Sequence, residues 1–156
     1  MPDPFLYEQL NNISEWGLLD KDIPDCIKNN LKPTYELRPY QIEAFSRFFY
    51  CLDKDFPDKE WPLHFLFNMA TGSGKTLIMA GLILYLYERG HRNFLFFVSS
   101  TNIIEKTKDN FLNPLSSKHL FNDQIYFGTK RVSVSSVSNF EGVNPDEINI
   151  CFTTIQ

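Results

Sequence analysis

Met69-Ala70-Thr71-Gly72-Ser73-Gly74-Lys75-Thr76 has the residue types and spacing that hold a polyphosphate. Gly72 and Gly74 let the backbone fold back, so that successive N–H groups point into one concavity. An apolar helical pattern, Leu77 to Leu86, follows directly. The concavity therefore sits at a helix N-terminus, where unpaired N–H groups and the helix dipole favour anions. Lys75 is placed to reach the β and γ phosphates. The Thr76 hydroxyl is placed to ligate a magnesium ion whose other positions keep waters and phosphate oxygens. Thr71, Gly72, Ser73, Gly74, Lys75 and Thr76 are thus the expected nucleotide-binding residues, with Lys75 and Thr76 closest to the chemistry. The general pattern G-x-x-x-x-G-K-[ST] would put glycine where this chain has Met69, which argues against a plain kinase or GTPase loop.

Further polar groups flank that loop. Upstream lies Leu37-Arg38-Pro39-Tyr40-Gln41-Ile42-Glu43-Ala44-Phe45. The amide of Gln41 has the donor and acceptor needed to pair with adenine N6 and N7, and the guanidinium of Arg38 can stack on a base face. By chemistry alone a solvated helix start is the better reading of the string. Downstream, Ser99-Ser100-Thr101 follows one apolar run, and Thr153-Thr154 ends another. Hydroxyls there serve turns and caps, and Ser99–Thr101 lie at the carboxyl end of an expected parallel strand, where ligands bind in such sheets.

The elements that must position these groups are legible in outline. Pro39 suits a helix start, and Ile42, Phe45, Phe49 and Leu52 form an apolar stripe behind it. Residues 53–62, charged and broken by two prolines, read as a loop with Trp61 and Pro62 packed at its base. Leu63–Phe67 reads as the strand leading into the phosphate loop. The helix after the loop is apolar nearly all round and should be buried, ending at Gly90. Phe94–Val98 reads as a strand covered on both faces, which makes the strand–helix–strand unit a right-handed parallel crossover. Asn102 is expected to cap the next helix, with Glu105 returning the bond, and Ile103, Thr107 and Phe111 form its inner face. Asn113-Pro114 ends that helix. Val132, Val134 and Val137 suggest an edge strand or short β segment, residues 140–149 a loop, and Ile148–Thr154 a further strand. Residues 1–33 read as an N-terminal arm with one short helix around Pro24, Ile27 and Leu31, and carry no assigned chemistry.

Composition bounds the class. The chain has 156 residues, enough for one domain with a core, and its 43% hydrophobic content excludes overall disorder. A net charge of −4 excludes binding to nucleic acid through a wholly basic face, so any such contact must be local or supplied elsewhere. Cys26, Cys51 and Cys151 are far apart and odd in number, which favours reduced thiols and a cytoplasmic setting over a disulfide framework or zinc site. No signal peptide is legible, and no apolar run approaches the ~20 residues that span a bilayer.

Leu37–Phe45 resembles the adenine-reading Q motif of superfamily-two helicases and translocases, and Ala70–Thr76 resembles their motif I. With Phe96-Phe97-Val98-Ser99-Ser100-Thr101-Asn102-Ile103-Ile104-Glu105-Lys106-Thr107-Lys108-Asp109-Asn110-Phe111-Leu112 and Cys151-Phe152-Thr153-Thr154-Ile155-Gln156, in that order, the chain is similar to the restriction (motor–nuclease) subunit of type III restriction-modification systems over roughly residues 35–156. The resemblance implies an α/β fold, a RecA-like P-loop NTPase core with a parallel sheet, here the first motor domain over 34–156 and truncated. It implies ATP and Mg2+ at Thr71–Thr76, adenine against Arg38 and Gln41, and nucleic-acid backbone contacts at Ser99, Ser100, Thr101, Thr153 and Thr154. It further implies a DNA translocase acting on double-stranded DNA with a methyltransferase (modification) subunit, and no membrane. None of the apolar runs ends in the Asp or Glu that such an ATPase needs. The chain is therefore expected to be a piece that stops before that motif and does not turn ATP over by itself. A non-catalytic nucleotide-binding module and another P-loop kinase or GTPase remain open alternatives.

Overall fold

A computed structural model of the chain describes residues 5–56 and 59–154. In chain order its elements are α1 (Leu6–Glu15), α2 (Asp25–Lys28), α3 (Pro39–Asp53), α4 (Lys75–Glu88), β1 (Asn93–Val98), α5 (Thr101–Leu112), β2 (Ile125–Phe127), β3 (Lys130–Val132), β4 (Val134–Val137) and β5 (Ile148–Thr154). They form two compact units, Met1–Ile23 with Leu37–Ser73, and Pro24–Glu36 with Gly74–Gln156.

The first unit is built on α3. Pro39 occupies its first turn, where a missing N–H costs nothing. Phe45 is fully buried and Phe49 stacks on it at 5.9 Å, while Phe48 meets Phe65 edge-on at 5.3 Å. Helix α1 is an element the sequence did not reveal as a helix, although Leu6, Leu10 and Ile13 recur at helical spacing. Glu43 of α3 collects it. The carboxylate accepts from Ser14 at 2.7 Å and from Arg47 at 3.0 Å, and pairs with Lys21 at 3.1 Å. Burial alone would raise the Glu43 carboxyl; the donors of Ser14, Arg47 and Lys21 outweigh that and hold it below its ordinary range.

Two expectations fail in this unit. Leu63–Phe67 forms no strand among the described residues. Its exposure alternates as a strand's would, but alternation decides only which side chains can be buried. A strand also needs a neighbour for its backbone groups, and none bonds to this stretch. Trp61 does not pack at the loop base but is 70% exposed, with the Lys59 ammonium 5.7 Å from its ring.

The second unit carries a three-stranded sheet in the order β1-β5-β4, parallel throughout. The middle strand, β5, spans the expected residues, and its Ile148 and Ile150 are fully buried. Phe96 of β1 meets Phe152 of β5 at 5.5 Å. Helix α5 packs on all three strands. It turns inward Ile104, Thr107 and Phe111, whereas Ile103, expected on that face, is 45% exposed. Ile104, Thr107 and Phe111 fall at i, i+3 and i+7 on one helical stripe, which Ile103 flanks; the helix begins at Thr101 with Ser100 as its N-cap, so Asn102 lies inside it and does not cap. Val132 ends β3, which pairs antiparallel with β2 through a turn at Gly128; among the described residues β4 and β1 are the sheet's two edges, and β1, expected to be covered on both faces, leaves Leu95 and Phe97 exposed. Helix α4 packs against α2, and its buried Leu77, Ile78, Ala80, Gly81 and Leu84 fit a helix apolar nearly all round. Each large apolar side chain buried this way contributes about 1.5–3 kcal/mol.

Candidate nucleotide-binding site

The chain passes from the first unit to the second between Ser73 and Gly74. Arg38, Gln41, Thr71, Gly72 and Ser73 belong to the first unit; Gly74, Lys75, Thr76, Ser99, Ser100, Thr101, Thr153 and Thr154 belong to the second.

In the first unit, Thr71 and Gly72 are exposed and Ser73 is half-buried. Gly72 has φ +78°, a left-handed conformation that costs other residues dearly. The turn is closed by the Ser73 N–H donating to the Ala70 carbonyl at 3.2 Å and by the Ser73 hydroxyl donating to the same oxygen at 2.7 Å. The start of α3 is tied to this turn. Gln41, 4% exposed, accepts the Arg38 N–H on Oε1 at 2.9 Å and donates from Nε2 to the Ser73 carbonyl at 2.9 Å. Beyond these two bonds its amide keeps one N–H and one acceptor position. The Tyr40 hydroxyl donates to the Ser73 carbonyl as well, at 3.1 Å, and accepts from Arg38 Nη1 at 3.4 Å. Arg38 is exposed and Pro39 follows it, which leaves the guanidinium at the helix start. Beside these residues lies a mainly apolar cavity of about 900 Å3 between α1, α3 and residues 64–70, with Tyr40 and Ser73 on its wall.

In the second unit, Gly74 is the N-cap of α4 in the left-handed conformation, with φ +88°. The first helical bond runs from the Ile78 N–H to the Gly74 carbonyl at 3.1 Å. Lys75 is exposed and Thr76 half-buried in the first turn, where helix N–H groups have no partners within the helix. The hydroxyl residues are brought together by the sheet. Parallel pairing of β1 with β5 sets Phe97 beside Thr153 and Val98 beside Thr154, so Ser99–Thr101 and Thr153–Thr154 leave adjacent strands at the same carboxyl edge. That edge is where ligands bind in open α/β sheets.

Tyr40, which the sequence did not single out, bonds to both Arg38 and Ser73. Tyr40 stands within the string that drew attention to Arg38 and Gln41, and its neighbourhood to Gln41 in the first helical turn was the available signal.

Residues 34–156 match the family model described as "Type III restriction enzyme, res subunit". The chain belongs to that family. It is 45% identical over 137 residues to the probable type III restriction-modification enzyme HindVIP Res subunit of Haemophilus influenzae, covering 86% of this chain and 26% of that protein. The chain thus spans about a quarter of that relative's length. No solved structure matches it. Family membership and the parallel sheet together make the fold a RecA-like α/β domain. Among the described residues no helix is long and apolar enough to cross a membrane.

Proposed function

We propose that this chain is the ATP-binding part of an ATP-dependent DNA translocase, the motor of a type III restriction enzyme. Residues 34–156 are read as the N-terminal part of its first motor domain and residues 1–33 as an arm. The observation that carries the nucleotide reading is the double hydrogen bond from Tyr40 and Gln41 to the Ser73 carbonyl, which joins the two polar segments the sequence had marked separately. The left-handed Gly72 and Gly74 supply the backbone form that a phosphate cradle needs. A cavity of about 900 Å3 beside Tyr40 and Ser73 is in the size range of small-ligand pockets.

The residues fit ATP and magnesium. Lys75 and the first-turn N–H groups of α4 would hold the phosphates, and the hydroxyl of Thr76 suits a hard cation that otherwise keeps oxygen ligands. At Thr76 such an ion would supply charge neutralisation for phosphoryl transfer to water. Arg38 would stack on the adenine, and Gln41 would read its edge with the N–H and acceptor position that its structural bonds leave. Ser99, Ser100, Thr101, Thr153 and Thr154 would contact the backbone of double-stranded DNA. Work on DNA would require the rest of the protein, including its nuclease, and a methyltransferase partner that recognises the site, all in the cytoplasm.

The direct test of the binding half is a titration of this chain with Mg-ATP. Saturable binding that disappears in Lys75→Ala is expected. A wild-type chain that binds no nucleotide, or a variant that binds as well as wild type, would overturn the reading.

A further inference from the structure

Tyr40 is given no contact with the ligand in the reading above, yet it touches the phosphate loop. A carbonyl oxygen has two acceptor positions, and the Ser73 carbonyl receives two side-chain donors: Gln41 Nε2 at 2.9 Å and the Tyr40 hydroxyl at 3.1 Å. That carbonyl and the Gly74 N–H belong to one planar trans peptide, so they point in opposite directions. Holding the oxygen toward the start of α3 therefore aims the Gly74 N–H the other way. The restraint falls where the backbone is softest. Gly72 and Gly74 flank Ser73 with φ +78° and +88°, and without a Cβ at either position rotation of the intervening peptides is sterically cheap.

We propose that Tyr40 is a positioning residue of the nucleotide site: its hydroxyl, together with the Gln41 amide, fixes the Ser73 carbonyl and keeps the Gly74 N–H aimed for phosphate. The proposal rests on the nucleotide reading and adds to it the device that holds the loop open before a ligand arrives. The two tethers differ in kind. Gln41 is 4% exposed and part of the packing, whereas Tyr40 is 43% exposed, so its hydroxyl can be removed without leaving a hole. The Tyr40 hydroxyl also accepts from Arg38 Nη1 at 3.4 Å, so the guanidinium meant for the base and the peptide meant for phosphate share one intermediary.

The test is Tyr40→Phe, which keeps the ring and loses the hydroxyl. Affinities of this chain for Mg-ATP and for inorganic tripolyphosphate are measured side by side, with amide hydrogen exchange of the free chain. Loss of one neutral hydrogen bond should weaken both ligands by the same factor, about three- to tenfold, and speed exchange at Gly74 in a chain that still unfolds cooperatively. Weakening confined to ATP would overturn the proposal by placing Tyr40 on the base side. Unchanged affinity for both ligands would overturn it too. Failure of the wild-type chain to bind either ligand is a different result, which removes the nucleotide reading itself.

Discussion

Asn30 hydrogen-bonds both backbone groups of Tyr126: its Nδ2 donates to the Tyr126 carbonyl at 2.9 Å, and its Oδ1 accepts the Tyr126 N–H at 2.8 Å. A second N–H donates to the Cys26 carbonyl at 2.9 Å. One buried amide thus imitates a strand partner for the start of β2 and closes the end of α2. The neighbouring backbone continues the pairing, with Lys32 N–H on the Leu120 carbonyl and Asn122 N–H on the Asn30 carbonyl, both at 2.8 Å. Asn30→Ala should lower the stability of the chain by about 1–3 kcal/mol, because buried backbone groups lose their partners. Urea unfolding measures this; an unchanged midpoint would show that the three bonds contribute nothing net.

His119 should make stability depend on pH between neutrality and mild acid. It is buried, its Nδ1 has no partner among the described residues, and the ring of Phe121 lies edge-on at 6.2 Å. Burial, helped by Lys32, holds its pKa below the ordinary 6.5, with Asp123 opposing. The unfolded chain therefore takes up a proton near pH 6.5 that the folded chain refuses. Stability is full above that pH and falls as the pH drops through it. The carboxylates of Glu43, Asp109 and Asp146 are all held low and respond only in stronger acid. Unfolding midpoints at pH 7.5 and 5.5 should differ for wild type and differ less for His119→Leu. Equal differences would remove the effect from His119.

Gly72→Ala tests the phosphate turn without steric confusion. A Cβ at Gly72 meets nothing within 4 Å, so the only penalty is the left-handed φ of +78°. The expected cost is about 1–2 kcal/mol or a locally rearranged turn, and in either case weaker Mg-ATP binding. Wild-type affinity in this variant would mean that the turn conformation is not what the ligand requires.

Gln41→Ala separates two duties. Its amide links Arg38 N–H to the Ser73 carbonyl, so removing it should loosen the loop and weaken ATP and GTP together. If Gln41 also reads adenine, ATP should lose more than GTP. Equal losses would leave Gln41 with the structural duty alone.

The sequence was most legible where local chemistry decides. Proline in the first turn of α3, the glycines at Gly74 and Gly90 around α4, and the apolar run of β5 each specify an element from its own residues. It was least legible where a distant partner decides. Leu63–Phe67 has the period of a strand and lacks the bonded neighbour that would make it one. Ser100 rather than Asn102 is the N-cap of α5, and packing on the sheet chooses Ile104 over its neighbour Ile103 for the inner face. Asn30 and Tyr40 look like ordinary polar positions until residues 126 and 73 are seen beside them. The family was readable from contiguous strings because phosphate binding is a local backbone property. The tethers that hold the loop were not, because they are tertiary.

The central claim is that the phosphate loop belongs to a DNA motor, and ATP hydrolysis by the full-length protein that carries this segment tests it most directly. With its modification subunit present, ATP turnover should rise on adding double-stranded DNA, and Lys75→Ala should abolish both the basal and the stimulated rate. Equal rates with and without DNA, or activity that survives Lys75→Ala, would contradict it.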